Sequence, residues 1–173
     1  YRAGDLERRY PKLPLEEDFF VNYGFLPRAH HGLMHPRTPR EAWTLARWKQ
    51  AHAVLDFIAE RGAVHPREVD AHFAHGKVIN WFGGSSKAST QLLDGMHYRG
   101  LLRVARRDGG TRVYATRAGD ATPVDADTAS ARMDALIDLV VSKYAPLPAP
   151  SLAHLVRLLG GGVPQWETQR AAA

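Results

Sequence analysis

Two histidines four residues apart can offer two nitrogen ligands from one helix face, and His31 and His35 have that spacing. No glutamate lies between them as a metalloprotease helix requires, and no third ligand is evident. Together with His30 they read as histidines hydrogen-bonded near a loop or close to a DNA phosphate, and no metal site is expected. The carboxylate trio Glu16, Glu17 and Asp18 has the chemistry for acid–base or metal work, but a solvated helix start is the simpler reading. Gly83-Gly84-Ser85-Ser86-Lys87 superficially resembles a phosphate loop. Its glycines are not spaced as G-x-x-x-x-G-K-S/T and no long apolar strand leads into it, so a DNA phosphate resting on a helix start at Ser85, Ser86 and Lys87 is the better reading. The densest chemistry is charge. Arg99, Arg103, Arg106, Arg107, Arg112 and Arg117 stand against one acid, Asp108, a net of +5 (6 minus 1) that matches the formal excess of the whole chain. The positive field is therefore local. These six arginines with Ser85, Ser86 and Lys87 are the candidate DNA-binding residues; no catalytic residue and no cofactor site is read from the chain.

The elements that must position this charge follow from periodicity. Ser85 to Arg99 reads as a helix, with Ser85 or Ser86 as cap and Leu92, Leu93 and Met96 recurring at helical spacing. Gly100 supplies a left-handed exit. Leu102 and Val104, then Val113 and Ala115 across a turn at Asp108-Gly109-Gly110, suggest two alternating strands. Upstream, a long helix is expected from Thr38 or Pro39 through Trp43, Leu45, Trp48, Val54 and Ile58 to a stop at Arg61-Gly62. A second spans Pro66 to Phe73, after an extended Ala63-Val64 that could join the hairpin as a third strand. Trp81 and Phe82 beside the glycine pair are expected to anchor the turn between the second and third helices. Three helices followed by a basic hairpin is the arrangement of a winged helix-turn-helix.

The flanks are less complete. Tyr1 to Pro14 is polar and belongs to a preceding element, and the aromatic run from Phe19 to Leu26 wants a hydrophobic partner. Beyond a small-residue acidic linker, Ala129 to Tyr144 reads as a helix with Met133, Leu136 and Val140 on one face, terminated by Pro146, Pro148 and Pro150. Ser151 then caps a helix ended by Gly160-Gly161-Gly162, read as a stop and hinge, and a last helix begins at Pro164. The expected fold is mainly α with small β-hairpins, a tandem winged helix-turn-helix with incomplete flanking domains. Residues 1–37 are read as the remnant of a preceding winged helix, 38–118 as a complete one, 119–128 as a linker and 129–173 as the start of another. A first residue of Tyr and a final QRAAA read as a fragment of a longer protein.

Composition excludes several classes. With 45% hydrophobic and 24% charged residues the chain is an ordinary globular one, not a disordered or fibrous one. It has no cysteine, so no disulfide framework and no thiolate metal site, which fits a reducing cytoplasm. No apolar run approaches the roughly 20 residues needed to span a bilayer, so no membrane partner is expected. A pI near 9.7 favours a polyanion, read here as double-stranded DNA bound by a monomer.

HHGLMHPR, VLDFIAERGAVHPREVDAHF and WFGGSSKASTQLLDGMHYRGLLRVARRDGGTRVYATR resemble the winged-helix family of bacterial DNA glycosylases called YcaQ or AlkZ, over about residues 15 to 160. Phe25 to Arg28 match a segment that ends in Pro-Arg, Lys87 matches a helix lysine, and Arg106, Arg107, Arg112 and Tyr114 match the R-R-x(n)-R-x-Y hairpin. The resemblance implies tandem winged helices and excision of bulky alkylated or crosslinked purines. It also implies a catalytic motif of glutamine, a hydrophobic residue, then glutamine or aspartate, upstream of this stretch. Gln165-Trp166-Glu167 imitates that spacing in the wrong domain and Gln91 fails it, so the chain reads as the DNA-gripping part. The alternatives are a winged-helix transcription regulator, which should carry base-reading Arg, Asn or Gln on its groove helix, and a winged helix used only for protein contacts.

Overall fold

A computed structural model describes residues 4–73, 77–79, 85–119 and 122–173; Trp81, Phe82, Gly83 and Gly84 lie outside the described residues. The chain is mainly helical, with small hairpins, and divides into two compact units: Tyr1–Leu15 with Ala42–Ala118, and Glu16–Glu41 with Gly119–Ala173. Among the described residues no helix is long and apolar enough to cross a membrane.

The first unit opens with α1 (Asp5–Arg9) and a 3-10 turn at Tyr10–Lys12, where Tyr10 is buried and its hydroxyl donates to the Val104 carbonyl. Helix α3 (Leu45–Arg61) starts later than the expected Thr38 or Pro39. Thr44 is its cap, accepting from the Arg47 N–H at 3.2 Å, so Trp43 lies outside the helix. Ala51, Val54 and Ile58, three and four apart, form its fully buried stripe. Gly62, at φ +78°, ends it with a positive backbone angle that glycine adopts without strain. Helix α4 (Pro66–Phe73) follows as expected, then β3 (Lys77–Ile79), β4 (Ser85–Lys87) and α5 (Ala88–Tyr98). Ser85 and Ser86 are therefore not helix caps. They are paired, antiparallel, with Ile79 and Val78. The buried Leu92, Leu93 and Met96 of α5 each contribute about 1.5–3 kcal/mol by leaving water.

Strands β5 (Leu102–Asp108) and β6 (Thr111–Thr116) pair antiparallel about Gly109 and Gly110, whose φ of +55° and +80° are the positive angles a tight two-residue hairpin loop requires. Val64 bridges antiparallel to Tyr114, so the expected third strand is present as a single bridge. Register slips between Val104 and Arg106, leaving Ala105 as an extra residue. Strict alternation would put Arg106 on the face of Leu102 and Val104. After the bulge Arg106 lies opposite Val113, on the face of Arg103, while Arg107 and Arg112 share the face of Val104 and Tyr114.

In the second unit β1 (Leu15–Phe19) and β2 (Tyr23–Pro27) form a ribbon that leads into α2 (Arg28–Leu33). Helix α6 (Ala126–Tyr144) begins three residues before the expected Ala129, because Asp125 accepts from the Thr128 N–H at 2.7 Å and caps it. Helix α7 (Ala149–Gly162) starts after Pro148, with Ser151 already inside its first turn. The glycine run is not a hinge: all three glycines are helical. A Cβ on Gly161 would lie 2.5 Å from Phe19 Cε1, and one on Gly162 would lie 2.8 Å from the Phe20 carbonyl oxygen, so the bare backbone lets helix and ribbon touch. A 3-10 turn (Pro164–Trp166) and α8 (Glu167–Ala172) complete the unit. One core joins Phe20, Val21, Leu26 and Met34 to Met133, Leu136, Val140, Leu159 and Trp166, giving the aromatic run its partner.

Candidate nucleic-acid interface

The hairpin carries its arginines in unequal surroundings. Arg106 is half-exposed and paired with Asp108 at 3.1 Å. Arg107 donates to the Gly110 carbonyl at 2.7 Å, across the turn. Arg112 reaches back to Asp94 on α5 at 2.9 Å, and the Tyr114 hydroxyl donates to the same carboxylate oxygen at 2.7 Å. Burial, and then the Asp94 charge, push the Tyr114 phenol far above its ordinary pKa, so it stays a donor. Asp94 thus enters the site as a second acid beside Asp108. Arg103 and Arg117 are partly exposed, and the backbone N–H of Arg117 closes onto Leu101.

Arg99 lies at the other end of α5, its guanidinium 3.7 Å from the centre of the Trp43 ring. The ring fits there because residue 95 is glycine: a Cβ would meet Trp43 Cζ2 at 2.7 Å. Ser85, Ser86 and Lys87 sit together on β4, immediately before α5, in extended rather than helical backbone. The expected phosphate seat on a capped helix start is accordingly corrected to a strand-to-helix junction. The charge bias of this region is wider than the hairpin. The first unit holds sixteen Lys and Arg against eight Asp and Glu (+8), and the second holds seven against ten (−3), which together give the +5 of the chain.

The second unit contains a buried polar cluster whose membership is not evident from the sequence. Glu16, Glu17 and Asp18 are not a solvated helix start; they lie on β1 and are no more than 5% exposed. Glu16 accepts from Arg28 Nε at 2.8 Å. Asp18 Oδ1 accepts from its neighbour's N–H and from Arg37 Nη1, while Oδ2 lies 2.9 Å from His31 Nε2 and 3.1 Å from His35 Nε2. Arg37 is fully buried and also donates to the carbonyls of Gly162 and Phe19 at 2.6 and 3.0 Å. Gln165 braces the chain after α2, donating to the carbonyls of Met34 and Pro36. That is a structural use for the first residue of the Gln-Trp-Glu run.

A third ligand candidate for the histidine pair was therefore present in the sequence but thirteen residues away, on a strand read as a helix start. Asp94 was missed because it faces the hairpin from a different element, and Trp43 because it was placed inside a helix. No curated protein and no solved structure matches the chain. A family model described as DNA glycosylase AlkZ-like does, over residues 1–173. The chain belongs to the AlkZ-like DNA glycosylase family, which implies a role related to DNA repair and DNA as the partner.

Proposed function

We propose that residues 38–118 form a winged helix that grips duplex DNA on behalf of a DNA-repair glycosylase acting on alkylated or crosslinked bases. The observation that carries this reading is the β5–β6 hairpin, which presents Arg103, Arg106, Arg107 and Arg112 from its two faces beside α5. The order α3, single bridge at Val64, α4, α5, hairpin supports it as well. Arg99, Arg117, Ser85, Ser86 and Lys87 extend the proposed contact surface along the same unit. The ion pairs at Arg106 and Arg112 do not oppose it. Exposed pairs of this kind are worth about 0–1 kcal/mol, so a phosphate can replace the carboxylate at little cost. Arginines dispersed over a ribbon suit phosphate contact, whereas α5 offers Gln91, with Arg99 just past its end and His97 buried, too few base-reading side chains for a sequence-specific regulator.

A salt titration of duplex binding by fluorescence anisotropy tests the reading. Phosphate contact gives a linear fall of log affinity against log salt, with a slope of about −0.9 for each phosphate neutralised. Equal affinity for unrelated duplex sequences is expected. Indifference to duplex DNA at low salt would instead mark a module for protein contacts, and preference for one sequence would mark a regulator.

A further inference from the structure

Asp18 Oδ2, His31 Nε2 and His35 Nε2 stand at the corners of a nearly equilateral triangle with edges of 2.9, 3.1 and 3.2 Å. With Asp18 a carboxylate, as its pairing with Arg37 requires, no distribution of protons satisfies all three edges. If both imidazoles carry hydrogen on Nε2, Oδ2 accepts from both, but the two N–H groups confront each other across 3.2 Å. If one Nε2 is bare and accepts from the other, its lone pair faces the lone pairs of Oδ2 instead. A cation over the triangle makes all three lone pairs attractive at once.

The size is right for such an ion. Zinc binds imidazole and carboxylate at about 2.0–2.2 Å, and a point about 2.1 Å from all three atoms lies about 1.1 Å above their plane, so the donors need not move. At such bond lengths, neighbouring ligand atoms are separated by about 3.0 Å in octahedral and about 3.4 Å in tetrahedral geometry. The surroundings hold the carboxylate in place. Oδ1 is occupied by the Phe19 N–H and by Arg37, itself fixed by two backbone carbonyls, which leaves Oδ2 directed at the histidines.

We propose that Asp18, His31 and His35 form a binding site for a divalent first-row transition metal, with zinc as the ion best suited to two imidazoles and one carboxylate. The donor set disfavours calcium and magnesium, which require mostly oxygen. All three residues are no more than 5% exposed, so the ion acts as a clasp between β1 and the end of α2, with water completing its coordination. This inference stands apart from the DNA-binding reading and survives its failure.

The test uses the whole chain, stripped of metal with a chelator and dialysed against Zn²⁺ or Co²⁺. Retention of one ion per chain is expected, with a rise in Tm and visible cobalt bands that zinc abolishes. His31→Ala with His35→Ala should lose both ion and Tm rise. The chain has nine histidines, so imidazole ¹⁵N spectra of the wild type assign the site even where the double variant does not fold. Shifts confined to His31 and His35 on zinc addition support the proposal. Absence of retention, undiminished retention by a folded double variant, or shifts at exposed histidines such as His52 and His154 would overturn it.

Discussion

Asp94 accepts from both Arg112 and Tyr114, so its charge competes with DNA while its oxygen satisfies a mostly buried hydroxyl. Asp94→Asn removes the first and keeps an acceptor for the second. On the proposed interface this variant should bind duplex about two- to fivefold more tightly, matching the few tenths to one kcal/mol of an exposed ion pair, with little change in stability. Asp94→Ala should also bind more tightly but unfold more readily, by about 1–3 kcal/mol, because the Tyr114 hydroxyl loses its partner. Anisotropy and urea denaturation on the same samples separate the two effects. In the other unit, Arg37→Met strands the buried Asp18 carboxylate and should cost about 3–5 kcal/mol by denaturation; a loss below about 1 kcal/mol would mean the pair is not what holds the ribbon. At this scale the sequence was a good guide to cations and a poor one to their partners. The six arginines are conspicuous as a cluster, but Asp94 and Asp18 acquire their meaning from elements remote in the chain.

The helical elements were legible where apolar periodicity is strong, as in α3, α4, α5 and α6. Their beginnings were not, since a cap is a matter of one side chain's geometry: Thr44 and Asp125 cap where Pro39 and Ala129 were expected to start the helices. The Asp125 carboxyl is held below its ordinary pKa, first by the Thr128 N–H and then by the Thr128 hydroxyl. Its stabilising share is present above the unfolded value of about 3.9 and is lost as pH falls through the lower folded value. The Tm of Asp125→Asn should therefore lie below that of the wild type near neutrality, and the two should converge as pH drops below about 4. The glycine run does end α7, at Gly162, but it is a close helix contact rather than a hinge, and the two have the same composition. Alanine in place of a helical glycine ordinarily gains up to about 1 kcal/mol. At Gly161 and Gly162 it should instead cost about 1–3 kcal/mol, by collision with Phe19 and the Phe20 carbonyl. Gly160→Ala meets only the end of Arg170 at 3.2 Å and should be neutral or better, which makes it the control in thermal unfolding.

Across the whole molecule the charge is divided, with +8 in the unit that carries the hairpin and −3 in the other. On the proposed function, hydrogen exchange in the presence of duplex should slow over residues 99–117 and leave α6 unchanged; protection centred on α6 would move the interface to the other unit. The core that unites residues 16–41 with α6 and α7 had no announcement in the sequence, because an aromatic run calls for a partner without naming it.

Ala105 gives the hairpin a rule of parity. Deleting Ala105 would remove the bulge and leave Arg106 opposite Val113 with every side chain on its present side, whereas losing a second residue would turn Arg106 toward the side of Leu102 and Val104. β5 can thus lose its one extra residue and keep its faces, while a second loss would trade an outward cation for an inward one.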